Sequence, residues 1–332
     1  MNFYIFSPFK RYLQKSRYIR VLYNNLKMIY LYCRYYSFFG RNNGKRIIFR
    51  VDGRLHHGGL ADRFAGIITA YALSKIYNVE FKLDYRYPFY LTDFLSPNTY
   101  NWIISDDEIS YNLFFVDVAV RLGDLQYYKY LKIKKETHLY ANFKILNDIN
   151  VWFGTNYTYK QLFEELFSVN FQLKLKISLI RKEIEGQYIG VVFRFQQLLG
   201  DLKEGNYPIL DDVEQSVLIK KCKAAISQIM NIHKGDSVLV TSDSRKFLDT
   251  LIGIEKVYTI PGRIVHMDFT KDAENGIYEK SFIDFFVLGE SMKIYNIIGE
   301  GLIKSGFPMI SAWVHDKPFE RIDINLLLRN TK

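Results

Sequence analysis

At 332 residues, 48% apolar and 17% aromatic, the chain has enough apolar side chain for two domains with cores, and with only seven prolines it is no disordered or low-complexity protein. The formal charge of +10 is unevenly spread: residues 1–50 hold eleven basic residues and no Asp or Glu, and the rest of the chain holds 34 basic against 35 acidic residues. A near-neutral body excludes the broad basic face that nucleic-acid binding requires.

The basic segment comes first in the chain. Ile19, Leu22, Leu26, Ile29, Cys33 and Tyr36 recur at three- and four-residue steps and define one helical stripe, with Arg17, Arg20, Lys27 and Arg34 on the other side. A helix with one apolar and one cationic face suits the headgroup layer of an anionic membrane, so residues 1–40 are expected to bind such a surface. Packing on the body or on another subunit is the competing reading of the stripe. No apolar run approaches the ~18–20 residues that span a bilayer, because Lys27 and Arg34 interrupt the most hydrophobic stretch. No cleavable leader is expected, because the charged-then-apolar order is missing. Cys33 and Cys222 have contexts that imply no disulfide. The expected location is therefore the cytoplasm, peripheral at the inner face of the cell membrane.

Regular structure is predicted to begin at the β-branched run Arg46–Val51, a buried strand closed by Asp52-Gly53. After a glycine turn, Leu60, Phe64, Ile67, Ile68 and Tyr71 mark a helix to about Ile76, and residues 80–84 form the next strand. This is the strand-helix-strand unit of a parallel sheet. No elements are placed between Pro88 and Asn156, and residues 159–185 read as helical. In the second half the predicted strands are 188–195, 237–241, 256–260 and 293–298. Helices are expected around Val217 to Met230, at Phe247 to Leu251, over 281–290 and from Ser305 or Gly306. The expectation is α/β: an N-terminal arm (1–45), an N-terminal α/β domain (46–186) and a doubly wound, Rossmann-like C-terminal domain (187–332) of four strands.

Four segments carry chemistry. Gly58-Gly59-Leu60-Ala61-Asp62-Arg63 lies at a strand-to-helix turn, where glycines admit close approach and the helix start favours phosphate; Asp62 as a simple helix cap is the alternative. His56 and His57 precede it. Arg194 ends an apolar strand, where its donor fork suits a diphosphate or, equally, an internal salt bridge to Asp201 or Asp243. Ser242-Asp243 ends the next strand, where it can hold a base or ribose or cap the helix that follows. Ser305-Gly306-Phe307 opens a helix after the strand 293–298. In a doubly wound domain the last three all fall at the carboxyl ends of strands, where the crevice rule places a nucleotide.

In order and residue type these segments resemble the motifs of the fucosyltransferase superfamily, the α-1,2-, α-1,6- and protein O-fucosyltransferases, over about residues 47–313. Gly58–Arg63 is similar to the family's Gly-Gly-Leu-Gly-Asn-Gln loop, with Asp62 and Arg63 where Asn and Gln are common. Arg194 matches its diphosphate-binding arginine, Ser242-Asp243 its second motif and Ser305-Gly306-Phe307 its third. Val192 stands where a histidine is frequent, and Pro308 where a small polar residue follows the third motif.

The resemblance implies two Rossmann-like domains of the GT-B type facing a cleft, and an inverting, metal-independent transferase using GDP-fucose without a cofactor. It implies a glycan or lipid-linked glycan as acceptor, in surface polysaccharide or oligosaccharide synthesis. The implied donor contacts are Gly58, Gly59, Arg63, Arg194, Ser242, Asp243, Ser305, Gly306 and Phe307. Arg194 would stabilise the leaving diphosphate and Asp62, or else His57, would act as base. Another nucleotide-sugar donor, or a noncatalytic nucleotide-sugar-binding adaptor on the membrane, is the alternative.

Overall fold

The computed structural model describes residues 41–55, 57–120, 127–202, 207–265, 267 and 275–329, and positions 19, 22, 23, 26, 29, 30, 32 and 33. Two compact units interleave along the chain. The first takes Met1–His57, Arg63–Tyr87 and Pro97–Tyr157; the second takes Gly58–Asp62, Pro88–Ser96 and Thr158–Lys332.

The first unit is built on β1 (Arg46–Val51), whose Ile47, Ile48, Phe49 and Val51 are buried. A strand apolar on both faces belongs inside a parallel sheet. β1 pairs in parallel with β2 (Glu80–Tyr85) and β5 (Glu136–Tyr140), and β5 with β4 (Val116–Val120), in the order β2-β1-β5-β4. Helix α1 (Leu60–Tyr77) crosses from β1 to β2. Its Gly66 sits where a Cβ would come 2.6 Å from the carbonyl oxygen of Ala141, so only glycine lets the helix lie this close to the chain leaving β5. β4, β5 and helix α2 (Leu146–Phe153) occupy the stretch in which the sequence signals no elements.

The described positions between 19 and 33 are helical. Of the apolar stripe, Ile19, Leu22, Leu26, Ile29 and Cys33 are exposed, together with Tyr23 and Tyr30, whereas Tyr32 is fully buried in the first unit. Arg17, Arg20, Lys27, Arg34 and Tyr36 lie outside the described residues.

In the second unit β7 (Tyr188–Phe193) is central. β8 (Ser237–Ser242) and β9 (Val257–Thr259) lie on one side, β10 (Ile294–Ile298) and β11 (Phe319–Asp323) on the other, all parallel. The sheet has five strands rather than the expected four. β11 is an edge strand with exposed Glu320 and Arg321, and it lacks the apolar run that reveals its neighbours. The strand order reverses at β7, and this switch point is where a doubly wound sheet opens a crevice.

The segment 159–185 forms two helices, α3 (Tyr159–Leu166) and α4 (Phe171–Glu183). They are separated by β6 (Phe167–Val169), which pairs with β3 (Leu95–Pro97). Asn170 caps α4 by accepting from the Leu173 amide at 2.9 Å. The Phe163 ring lies 6.3 and 6.2 Å from those of Phe285 and Phe286, which seats α3 in the second unit.

Candidate functional site

A cavity of about 300 Å³ opens in the second unit, walled by residues that follow β7, β8 and β10 and by Gly58–Asp62. Its first cation is Arg194. Phe193 and Phe195 point into the core, with Phe247 5.0 Å from each ring, and alternation along the strand turns Arg194 to the other side. Its guanidinium lies 3.3 Å from Oδ2 of Asp243, with 23% of the side chain exposed. Of the two internal partners open to Arg194 in the sequence, the structure therefore selects Asp243. Asp201 instead accepts from the Ser244 hydroxyl (2.9 Å) and the Lys246 amide (2.7 Å), at the start of helix α5 (Arg245–Asp249).

Asp243 caps no helix. Its carboxylate accepts from the amides of Phe195 and Gln196, both at 2.7 Å, and so fixes the turn after β7, in which Gln196 adopts φ +55°. Burial raises its pKa, against the pull of Arg194 and the two amides. Ser242, beside it on the cavity wall, accepts from the Ser244 amide at 3.1 Å.

The third segment is held as firmly. The Ile303 amide donates to the Arg194 carbonyl (3.1 Å), and the Ser305 amide to Oδ1 of the buried Asn296 on β10 (2.9 Å). The Ser305 hydroxyl accepts from the Phe307 amide (3.2 Å) where helix α6 (Phe307–Val314) begins at Gly306. Pro308 suits that first turn, where its missing N–H costs no helix bond. Ser305, Gly306 and Phe307 all line the cavity, so a helix N-terminus opens onto it.

On the remaining wall Gly58 has φ +82°, and a Cβ there would come 2.6 Å from Oδ2 of Asp62. The glycine allows the half-buried Asp62 to fold back over the turn. Gly58, Gly59 and Asp62 line the cavity.

Two expected site residues lie elsewhere. Arg63 follows Asp62 by one helical step, about 100° around the axis, and is fully buried in the first unit. There its guanidinium donates to the Tyr85 hydroxyl (3.1 Å) and the Tyr87 carbonyl (2.6 Å), so it does not line the cavity. His57 is also fully buried in the first unit, with Nδ1 3.3 Å from the Ala141 carbonyl and its ring 6.0 Å from those of Phe49 and Tyr140. It too is absent from the wall. His56 lies outside the described residues.

The sequence reading missed Gln196, Thr241, Asp284 and Lys304, which all line the cavity. Asp284 lies on helix α7 (Glu279–Gly289), buried and 2.5 Å from Nζ of Lys280 through both oxygens. Burial raises its pKa and Lys280 opposes the rise. A lone acid in the run Phe282-Ile283-Asp284-Phe285-Phe286, four residues after a lysine, was the available signal. Among the described residues no group of three or more His, Cys, Asp or Glu is placed to hold a metal ion. The adjacent acids have other work: Asp106 pairs with Arg86, and Asp211 caps the helix Asp212–Ile232.

A parallel five-stranded sheet with a cavity at its switch point, together with a second α/β unit, defines the class: a two-unit α/β protein with a Rossmann-like ligand site. The fold is that of the fucosyltransferases. In structure the chain is similar to a mutant of FUT1 from Arabidopsis thaliana in complex with GDP, with a TM-score of 0.54 and 12% identity, over 92% of this chain and 79% of that one. It is also similar to the α-1,6-fucosyltransferase NodZ, from a crystal soaked with GDP-fucose, with a TM-score of 0.50 and 12% identity, over 82% of this chain and 93% of that one. No family model matches the chain, and no curated protein matches it in sequence.

Proposed function

We propose that the chain is an inverting glycosyltransferase that moves fucose from GDP-fucose to a glycan acceptor without a metal or cofactor. The observation that carries this reading is the convergence of Arg194, Ser242 and the Ser305–Phe307 helix start on one cavity at the switch point. The similarity in fold to fucosyltransferases crystallised with GDP or GDP-fucose supports the choice of donor.

In this reading Arg194, oriented by Asp243, hydrogen-bonds the diphosphate, and the N-terminus of α6 adds its dipole. As the acceptor oxygen attacks the anomeric carbon, the bond to the diphosphate breaks and Arg194 meets the charge that develops there. Asp62 takes the acceptor's proton. The acceptor is a surface or lipid-linked glycan, and the protein works on the cytoplasmic face of an anionic membrane. The charge of residues 1–50 and the exposed Ile19, Leu22, Leu26 and Ile29 support that placement.

The test is a thermal-unfolding screen with GDP, GDP-fucose, GDP-mannose and UDP-sugars, followed by transfer assays with and without EDTA. A donor at a hundred times its Kd stabilises the folded state by about 2.7 kcal/mol. Stabilisation by GDP-fucose above the other donors, with turnover that survives EDTA, is expected. Binding without turnover on any glycan would favour the adaptor, and stabilisation by none of the ligands would end the donor assignment.

A further inference from the structure

We propose that Lys304 is a second cation for the donor's diphosphate, supplying the net positive charge that the Arg194–Asp243 pair lacks; this rests on the nucleotide-sugar reading of the cavity. Among the described residues, the carboxylates on the cavity wall belong to Asp62, Asp243 and Asp284, and the cations to Arg194 and Lys304. Asp243 lies 3.3 Å from Arg194, so that pair presents hydrogen-bond donors but little net charge. Asp284 is matched by Lys280 behind the wall. Among the described residues Lys304 has no ion-pair partner. A diphosphate entering the cavity would therefore meet a wall whose described residues, without Lys304, include no uncompensated cation.

The backbone fixes where this lysine starts. On one side of it the Ile303 amide is bonded to the Arg194 carbonyl at 3.1 Å. On the other the Ser305 amide is bonded to Oδ1 of Asn296, whose Nδ2 lies 3.3 Å from the Val192 carbonyl. Lys304 is thus pinned between the ends of β7 and β10, two residues before Gly306, the cap of the helix. An exposed lysine on a free loop is ordinarily a solvated charge; here both flanking amides are tied to the strands that shape the cavity.

In the transfer step the bond between the anomeric carbon and the β-phosphate oxygen breaks, and its electron pair stays on that oxygen. The acceptor oxygen forms the new bond and its proton passes to the base. The leaving diphosphate gains one negative charge, which Lys304 meets as an ammonium while Arg194 holds the phosphate geometry.

The experiment is titration calorimetry of the full chain and its Lys304→Ala and Lys304→Arg variants with GDP, guanosine, UDP and uridine, joined to steady-state transfer kinetics. Lys304→Ala is expected to weaken binding of the preferred nucleoside diphosphate by about tenfold, as befits one charge-assisted contact, and to lower kcat/KM at least as much. Binding of the matching nucleoside and the unfolding temperature should not change, and Lys304→Arg should restore most of the loss. A loss below about threefold, or an equal loss for the nucleoside, overturns the assignment. Wild-type protein that binds neither diphosphate refutes the donor reading itself, and this assignment with it.

Discussion

The Tyr32 hydroxyl lies 2.6 Å from Nδ1 of His138, and both side chains are fully buried in the first unit. Nε2 of the same ring lies 2.7 Å from Glu136. The imidazole is therefore neutral with its proton on Nε2: it donates to Glu136 and accepts from Tyr32. Tyr140 sits 3.4 Å from the Tyr32 hydroxyl and itself donates to Asp52 at 2.8 Å, and Asp52 lies 3.1 Å from the buried Arg50. Burial raises the Tyr32 pKa to about 12, so the group stays a hydroxyl. Tyr32→Phe removes one donor from a sealed network and should cost about 1–3 kcal/mol in urea unfolding, with donor affinity unchanged. Deleting residues 1–40 removes the whole side chain and should cost more. A Tyr32→Phe protein as stable as wild type would show that the hydroxyl contributes nothing.

The same ring sets a pH dependence. Burial is the main force lowering the His138 pKa from 6.5 to about 4; the Glu136 hydrogen bond opposes the fall and the Arg50 charge adds to it. The unfolded chain takes up a proton near pH 6.5 that the folded chain refuses until about pH 4, so the unfolded state binds more protons in that window. Stability from this site is present above the upper value and drains away as pH falls to the lower one. The unfolding temperature should drop across that interval. His138→Gln, less stable throughout, should lose most of the slope; an undiminished slope in that variant would assign it to other groups.

How much of this was legible follows from where the polar groups lie. β1, β7, β8 and β10 are announced by buried runs such as Val191-Val192-Phe193, and the crevice follows from their order. β5 is invisible for the opposite reason: Glu136, Thr137 and His138 are buried polar residues of a strand, satisfied by partners distant in sequence such as Arg46 and Tyr32. Arg194, Ser242 and Ser305 were readable because each ends or follows an apolar run. Arg63 and His57 do not line the cavity because adjacency to a glycine turn does not fix direction, and both turn into the first unit. Lys304 gave no signal, since one lysine between Ile303 and Ser305 has no period or partner to mark it.

Arg194→Ala should lower kcat/KM by about a hundredfold or more, the loss typical for one preorganised charge-stabilising donor. It should also leave the Asp243 carboxylate buried without its cation. Asp243→Asn can no longer accept from both the Phe195 and Gln196 amides, so it should lose stability as well as activity. If Arg194→Ala binds GDP and turns over like wild type, the arginine serves only as the partner of Asp243.

Asp62→Asn separates binding from proton transfer. The substitution preserves shape at the Gly58 turn, so GDP affinity should hold within about twofold while kcat falls by about 10²–10⁴. Gly58→Ala should damage both, because its Cβ would meet the Asp62 carboxylate at 2.6 Å in a backbone conformation of φ +82°. An Asp62→Asn enzyme with unchanged kcat would move the base to another group.

The surface at positions 19–33 can be tested without disturbing the buried tyrosine beside it. Leu22 and Leu26 are 58% and 56% exposed, so glutamates there remove little packing from the first unit. Burying a leucine side chain contributes about 1.5–3 kcal/mol, so losing two from a lipid-facing surface amounts to well over tenfold in partitioning. The added acids also oppose an anionic surface. Leu22→Glu/Leu26→Glu should therefore fail to sediment with vesicles rich in phosphatidylglycerol, while keeping donor affinity and transfer to a soluble acceptor. Wild-type binding should weaken with added salt and on phosphatidylcholine vesicles, because the basic residues of the first 50 act through the lipid charge. Equal sedimentation of the double variant and wild type would remove these leucines from the membrane contact, and a concentration-dependent dimer abolished by the same substitutions would assign the face to a second copy of the chain.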